Sequence, residues 1–409
     1  MPDSMDVPGI RREIPALQSF IYLNSGWQGP SPRPVLEAIK ETLDWESTGP
    51  TAPHINEGRM DLIRRARLAL AELIHASPEE ISLQQNTTEG INIVFNGLSL
   101  TPEDEIVTCS LEHSSVLVPA YYARQRRGVG LKIVQLSAAD STQDVLAKFE
   151  EAISARTRLL ALSHISYNSG QLLPLAELAK LAHDCGAHLL VDAAQSVGQT
   201  PVDVRALDCD FYAFPGHKWL LGPAGTGGLY VRRDLIERLE PPKVAFRASR
   251  HYDVYGHFEP KVDTIAKFEL TTVSAPLSAG LIAAVKFSRG IGLEAIAERI
   301  RSLATYAIRR LSENPKVRIL SPVNGSGSGL ISFAITAVEP QKVTASLWEW
   351  GRIVSRTVAD VQGTRLSLHA FNTEEEIDQV RAYVQRLAEG SPLETATTAQ
   401  LEEKAITEL

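Results

Sequence analysis

Between residues 81 and 233 the chain alternates short, almost wholly apolar runs with segments of helical periodicity, and this constrains its fold more than any other feature. The apolar runs are DEIVTCSLEH, LKIVQLSA, TRLLALSHIS, HLLVDAAQS, DFYAFPGHK and GGLYVRR. Between them lie TEGINIVFNGL, PAYYARQRRG, VLAKFEEAIS and LAELAKLAHDCG, the last closed by Gly186. A strand that is apolar along its whole length is buried on both faces, which predicts an α/β fold with a mostly parallel sheet covered by helices. Polar residues gather at the carboxyl ends of the runs, where open sheets of this kind bind ligands.

The 409 residues divide into a loose N-terminal arm (1–20), a large α/β domain (21–272), a small α+β domain (273–390) and a polar tail (391–409). The large domain also contains an early helix over PVLEAIKETLDWES and a second over about residues 57–75. The small domain opens with the helix of SAPLSAGLIAAVKFSRG, followed by one over about residues 293–313. The short strands VRIL, LISFAIT and TRLSLHAF come next, and NGSGSG is a turn between strands. The net charge of −8 comes without any long basic run, which argues against a nucleic-acid partner. The first residues lack the apolar core of a signal peptide, and no stretch is long enough to span a bilayer. Three cysteines, Cys109, Cys185 and Cys209, do not form a disulfide framework. Together these features predict a cytoplasmic protein with no membrane partner.

Lys218, in FPGHKWLLGPAG, stands just past an apolar strand. Burial there would lower its pKa and make it an amine nucleophile, although a strand-end lysine can also snorkel to solvent. Asp192 ends the apolar run HLLVDAAQ, where a carboxylate is costly unless it caps a turn or meets a cation. The pyridinium nitrogen of pyridoxal 5'-phosphate (PLP) is such a cation. Lys218 follows 26 residues later, about one strand–helix–strand step, so the two can line one crevice. In QQNTTEGIN, Asn86 and Glu89 read as a capping box, and Thr87, Thr88 and Gly90 place hydroxyls and amides at a helix N-terminus suited to phosphate. Many plain helix caps look the same.

The ordered motifs TTEGIN, EHSS, SHISYNSG, VDAAQSVG, FPGHKWLLGPAG and TRLSLHAFNTEEEID resemble the class V aminotransferase family from about residue 20 to residue 390. YLNSGWQG, NSGQLLPL and GHKWLLGPAGTGGLYV are most similar to its cysteine/cystine C–S lyase branch, related to the cysteine desulfurases and isopenicillin-N epimerase. The resemblance implies PLP fold type I, with a seven-stranded-type sheet, and a homodimer with sites at the subunit interface. It implies that Lys218 holds PLP as a Schiff base and moves the Cα proton, with Asp192 on the pyridine nitrogen and Gln195 on the phenolic oxygen. His113 would stack on the ring, and Thr88, Thr87 and His217 would hold the phosphate. Arg365 would clamp the substrate carboxylate, although a surface ion pair is its plainer reading. Asn24, Ser25 and Tyr167 would line the substrate side. Ser249, or a neighbour up to Thr272, would reach the other subunit's phosphate.

The chain departs from the family pattern at several positions. Pro215 occupies a place where relatives often carry a phosphate-binding hydroxyl, and it lacks an amide donor as well. Tyr167 follows Ser166 where desulfurases have asparagine, so Asn168 is expected to turn outward. No cysteine occurs in GRIVSRTVADVQGTRLSL, where desulfurases carry the thiol that accepts sulfur. The implied reaction is therefore β-elimination on a small sulfur-containing amino acid, giving pyruvate, ammonia and a thiol or persulfide. An aminotransferase or epimerase would use the same lysine, and a non-catalytic PLP-binding protein is a third reading. His183, Cys185 and His188 have loose metal-ligand spacing but straddle a helix end, so no metal is expected. GPAGTGG lacks the ending of a nucleotide-binding loop. Phe246, Arg247, His251, Tyr252, Tyr255 and His257 fall in an irregular stretch suited to a pocket lining or a dimer contact.

Overall fold

The computed structural model describes residues 5–323 and 327–390. The tail expected over 391–409, the first four residues of the arm and part of the NGSGSG turn lie outside the described residues.

The arm contains α1 (Val7–Arg12) and leads to β1 (Ile21–Tyr22), followed by α2 (Arg33–Ser47) and α3 (Pro53–Leu73). Then come β2 (Ile81–Gln84), α4 (Thr87–Gly97), β3 (Glu105–Cys109), α5 (Ser114–Arg127), β4 (Gly130–Val134), α6 (Thr142–Ala152), β5 (Thr157–Ser163), α7 (Leu175–Asp184), β6 (His188–Asp192), β7 (Phe211–Pro215) and β8 (Gly227–Val231). A hairpin of β9 (Ser249–Tyr252) and β10 (Phe258–Pro260) precedes the long helices α8 (Ala275–Ile291) and α9 (Leu293–Ser312). The chain then forms β11 (Val317–Ile319), β12 (Leu330–Ile335), α10 (Pro340–Gly351), β13 (Ile353–Val354), β14 (Arg356–Val358), β15 (Gly363–Ser367) and α11 (Glu374–Glu389).

The central sheet has seven strands in the order β2-β8-β7-β6-β5-β3-β4, and β8 runs antiparallel to both its neighbours. The sheet is thus mixed and mostly parallel, as the apolar runs implied. Its two faces carry separate cores. Val107, Leu160, Leu162, Leu189, Val191, Tyr212 and Phe214 lie on one, and Ile106, Leu159, Ala161, Leu190, Phe211 and Ala213 on the other. Successive residues of one strand feed opposite cores, so most positions along these strands are apolar, and the polar Thr108 inside β3 donates to the Ala161 carbonyl (2.8 Å). A second, antiparallel sheet has the order β11-β12-β15-β14. Helix α8 packs along α2 and α3, and its Leu281, Ala284 and Val285 join the first core of the large sheet.

Three expectations need correction. The arm is not loose where it is described: Ile10, Ile14 and Leu17 are buried with Leu221 and Phe371, and β1 pairs with β13. The early pattern hid this because apolar residues spaced over a six-residue helix and a single 3-10 turn show no long period. Helix α5 starts at Ser114 rather than at Pro119, which lies inside it. Proline is favoured at a helix start, but here His113 is the cap, its Nδ1 accepting from the Ser115 N–H. The capping box at α4 is also displaced: Asn86 accepts from the Glu89 N–H, but the Glu89 carboxylate reaches back to Gln85 N.

Because Ile14 is fully buried between the arm and Leu221 beside the Lys218 turn, Ile14→Ala is expected to lower unfolding free energy by about 2–4 kcal/mol. Denaturant unfolding, followed by fluorescence, measures this directly.

Candidate active site

Strand β7 ends at Pro215, and the chain turns through Gly216 and His217 to Lys218. The next residue, Trp219, anchors the turn. It is fully buried, its Nε1 donates to Gln195 Oε1 (2.8 Å), and its carbonyl oxygen pairs with His369 Nε2 (3.0 Å). From the N-terminal side, the Gly29 N–H donates to the His217 carbonyl (2.7 Å). A Cβ at position 29 would lie 2.1 Å from the Lys218 carbonyl oxygen, so only glycine allows this approach. The amine of Lys218 is left facing the cleft. Burial pushes its pKa down to about 8, against the pull of Asp192, and Arg365 and Arg356 push the same way as burial.

Asp192 closes β6, between Ser163 on β5 and Ala213 on β7. Its Oδ1 accepts from the Ala194 N–H (2.9 Å). Burial raises its pKa, while that N–H and the Lys218 charge lower it. Lys218 and Asp192 act on each other through space, without an ion pair within 4.0 Å among the described residues. Two opposite charges thus stand apart at the ends of neighbouring strands, and the space between them is the candidate slot.

His113 caps α5 beside this slot. Its Nδ1 takes the Ser115 N–H, so the ring proton is on Nε2, and burial with three nearby cations (Lys218, Arg356, Arg365) holds the imidazole pKa down to about 4. The ring is neutral at pH 7 and packs edge-on against Tyr167 (centroids 4.9 Å, 86°). At the α4 N-terminus the Thr87 hydroxyl is buried without a partner, and Thr88 is exposed at the rim of a cavity it shares with His113. His217 Nδ1 is also buried and unpartnered, and burial followed by the Lys218 charge lowers that imidazole to about 4. The side-chain oxygen of Gln195 is taken by Trp219, and its Nε2 donates to the Gly26 carbonyl (2.9 Å), which leaves one N–H free.

The substrate side comes from the small sheet. Asn24 bridges to Ser367 beside β15, and Asn24 Oδ1, Ser25 Oγ and Ser367 Oγ are all buried without partners. Arg365 is fully buried on β15. Its Nη1 donates to the Tyr167 carbonyl (2.6 Å), whereas Nε and Nη2 have no partner. The surface ion-pair reading of Arg365 therefore fails. Asn168 also differs from expectation: it is buried, with Oδ1 accepting from Ser166 Oγ (2.7 Å) and its carbonyl from Ser332 Oγ (2.5 Å).

Sequence reasoning missed Arg356. It lies directly opposite Arg365 in the β14–β15 register, with its guanidinium over the Trp27 ring at 4.6 Å. Like charges facing each other across strands destabilise a sheet unless an anion lies between them. Burial and Arg356 together push Arg365 down to about 9. The only sequence signal was an arginine in the strand that pairs with the predicted one. Glu112 was missed as well. It is buried with no counter-ion among the described residues, and burial raises its pKa to about 7.

The two metal-like histidines instead serve Asp210: His183 Nε2 lies at 2.9 Å and His188 Nδ1 at 3.8 Å from its carboxylate. Among the described residues no cluster is placed to hold a metal. The irregular stretch 246–260 forms the β9–β10 hairpin with exposed Phe246, Tyr252, Val254, Tyr255 and Phe258. Ser249 is half-buried there, with its Oγ buried and unpartnered, and Thr272 has a left-handed backbone (φ 63°).

The unpartnered groups fit PLP. An amine and a carboxylate stand apart and uncontacted on neighbouring strands, a neutral imidazole lies near them, and the unsatisfied Thr87 hydroxyl and His217 nitrogen suit phosphate oxygens.

A sequence profile described as aminotransferase class-V matches residues 21–380. A probable cysteine desulfurase of Methanothermobacter thermautotrophicus is 32% identical, covering 94% of this chain and 98% of that protein. The structure of the cystine C–S lyase C-DES, in complex with its reaction product cysteine persulfide, is 33% identical with a TM-score of 0.85, over 93% of this chain and 100% of that one. The cysteine desulfurase CsdA of Escherichia coli is 28% identical with a TM-score of 0.86, over 95% of this chain and 100% of that one.

A Lys218 amine shifted to about 8 should react with amine-directed acylating reagents in the cofactor-free protein at a rate that rises with pH and levels off above about 8. Exposed lysines would keep rising toward about 10.4. Peptide mass mapping across pH distinguishes the two, and a Lys218 profile like that of the surface lysines would refute the burial argument.

Proposed function

This chain belongs to the aminotransferase class-V family and is a PLP-dependent enzyme, and from that premise we propose that it is a carbon–sulfur lyase acting on cysteine or cystine. The observation that carries the reading is the pairing of the Lys218–Asp192 slot with two guanidiniums in register, while the stretch leading to Arg365 carries no cysteine. The relatives named as desulfurases and the C–S lyase C-DES support the substrate class.

When bound, PLP supplies an aldehyde that condenses with amines and a protonated ring that accepts electron density. Asp192 keeps the ring nitrogen protonated, because its buried carboxylate needs a cation more than it needs water. The neutral His113 ring would lie against the cofactor without competing for that anion. Thr87, Thr88 and His217 would hold the phosphate, and the free N–H of Gln195 would donate to the ring oxygen. Arg365 grips the substrate α-carboxylate through its unpartnered Nε and Nη2, with Asn24 and Ser25 beside it. Lys218 Nζ then removes the Cα proton. Its lowered pKa keeps a substantial fraction of the amine neutral near pH 7.5. The Cβ–S bond breaks and sulfur leaves as thiolate or persulfide. The remaining fragment hydrolyses to pyruvate and ammonia.

Arg356 adds a second cation facing the same strand. A substrate with two carboxylates, such as cystine, satisfies both guanidiniums, and cysteine satisfies one. A sulfur relay lacks its acceptor: Cys109 and Cys209 are buried, and burial raises both thiol pKa values. Cys185 sits at the end of α7 with its Sγ on the Ala182 carbonyl.

The exposed apolar side chains of the β9–β10 hairpin support a homodimer, since a monomer rarely leaves such a patch uncovered. Within it, Ser249 or a residue up to Thr272 would complete the partner's phosphate site. The cytoplasmic assignment rests on the three unpaired cysteines.

Pyruvate release from cystine and cysteine tests the function. Lys218→Ala should abolish it. Arg365→Ala should lower kcat/KM for both substrates by roughly 100-fold or more. Arg356→Ala should cost roughly tenfold or more on cystine and little on cysteine. No pyruvate from any sulfur amino acid defeats the proposal. Light scattering that returns the mass of one chain defeats the dimer.

A further inference from the structure

Glu112 is almost wholly buried, and among the described residues no cation lies within 4.0 Å of it. Three donors converge on its carboxylate. Oε1 accepts from the Ser163 N–H (2.7 Å) and from Cys109 Sγ (3.3 Å), and Oε2 accepts from Ser163 Oγ (2.6 Å). The Ser163 N–H can only donate and so favours the carboxylate, while the Ser163 hydroxyl and the Cys109 thiol can turn to serve either protonation state. Burying an unpaired anion is expensive, and a neutral residue could join the same strands at lower cost. Two neighbours tie Glu112 to the site. The next residue is His113, whose ring stands beside the slot. The residue it grips, Ser163, is the register partner of Asp192.

We propose that Glu112 is a positioning residue for the cofactor: its carboxylate locks the turn that carries His113 to the strand end beside Asp192, and its charge adds to the negative field under the slot. The groups facing it are Cys109 from β3, Ser163 from β5 and, through space, Asp192 from β6. Asp192 in turn faces Lys218. Burial and repulsion from Asp192 both push the Glu112 pKa upward, while the three donors hold it down, so the balance falls near neutrality. The anion favours protonation of every basic group across the slot, including the cofactor bound at Lys218. The inference rests on the reading of Lys218 and Asp192 as the PLP site.

The test uses the PLP-loaded chain and its Glu112→Gln variant. Three quantities are measured: the pH midpoint of the bound cofactor's absorption change without substrate, the retention of PLP on dialysis, and the melting of the cofactor-free protein. The variant is expected to melt near the parent, to titrate about one pH unit lower, and to lose PLP about tenfold more readily. A shift of that size corresponds to one charge acting over about 12 Å at an effective dielectric of about 20. An unchanged midpoint and retention in a folded variant would overturn the proposal and leave Glu112 a packing group. If Glu112→Gln does not fold, Ser163→Ala decides. With one donor fewer, Glu112 takes up a proton at higher pH, so the cofactor midpoint must fall, though by less; an unmoved midpoint overturns the proposal. A parent chain that takes up no PLP would instead defeat the site itself.

Discussion

The Lys218 ammonium and the Asp192 carboxylate are held apart at the ends of neighbouring strands, and the rest of the structure serves that separation. Contact between them would make an ordinary buried ion pair, with nothing left over for a ligand. Held apart, each charge keeps an unmet demand that a flat, charged cofactor can satisfy. The separation is enforced from several directions. Trp219 is pinned between Gln195 and His369, Gly29 lies against the Lys218 carbonyl, and β5 and β7 hold β6 on both sides.

A second unmet demand lies opposite. Arg356 and Arg365 face each other in register, and Arg365 keeps two nitrogens unpaired while its third holds the Tyr167 carbonyl. The N-terminal segment adds the unpartnered groups of Asn24 and Ser25 to the same side. The arm is therefore part of the site: its buried Ile14 and the β1–β13 pairing fix where that segment lies. Cations on one side and an anion beneath the slot together describe an amino-acid substrate, with a carboxylate to grip and an amine to bring to the cofactor.

Much of this was legible from the chain alone. Apolar runs buried on both faces can only form a covered, mostly parallel sheet, and their polar ends announced the cleft. Lys218, Asp192 and the TTEGIN helix start were readable because each breaks a local pattern: a charge at the end of an apolar run, or hydroxyls ahead of one. The lack of a cysteine in the stretch before Arg365 could also be read from the order of residues, and it is the feature on which the proposed lyase reading parts from a sulfur relay.

Tertiary structure decided the rest, since those features are relations between distant segments. Arg356 has meaning only once β14 is laid against β15, because the clash of two like charges exists in the register and not in either strand. Glu112 looks like any turn glutamate until β5 closes over it and removes its water. Asn168 turned inward because Ser166 and Ser332, far apart in the chain, both supply hydroxyls there. Hydrophobic periodicity is local and survives in one dimension. Burial of charge depends on what the whole fold brings near, so the chain alone determined the sheet and the reactive lysine, and packing determined which charges remain unpaired around it.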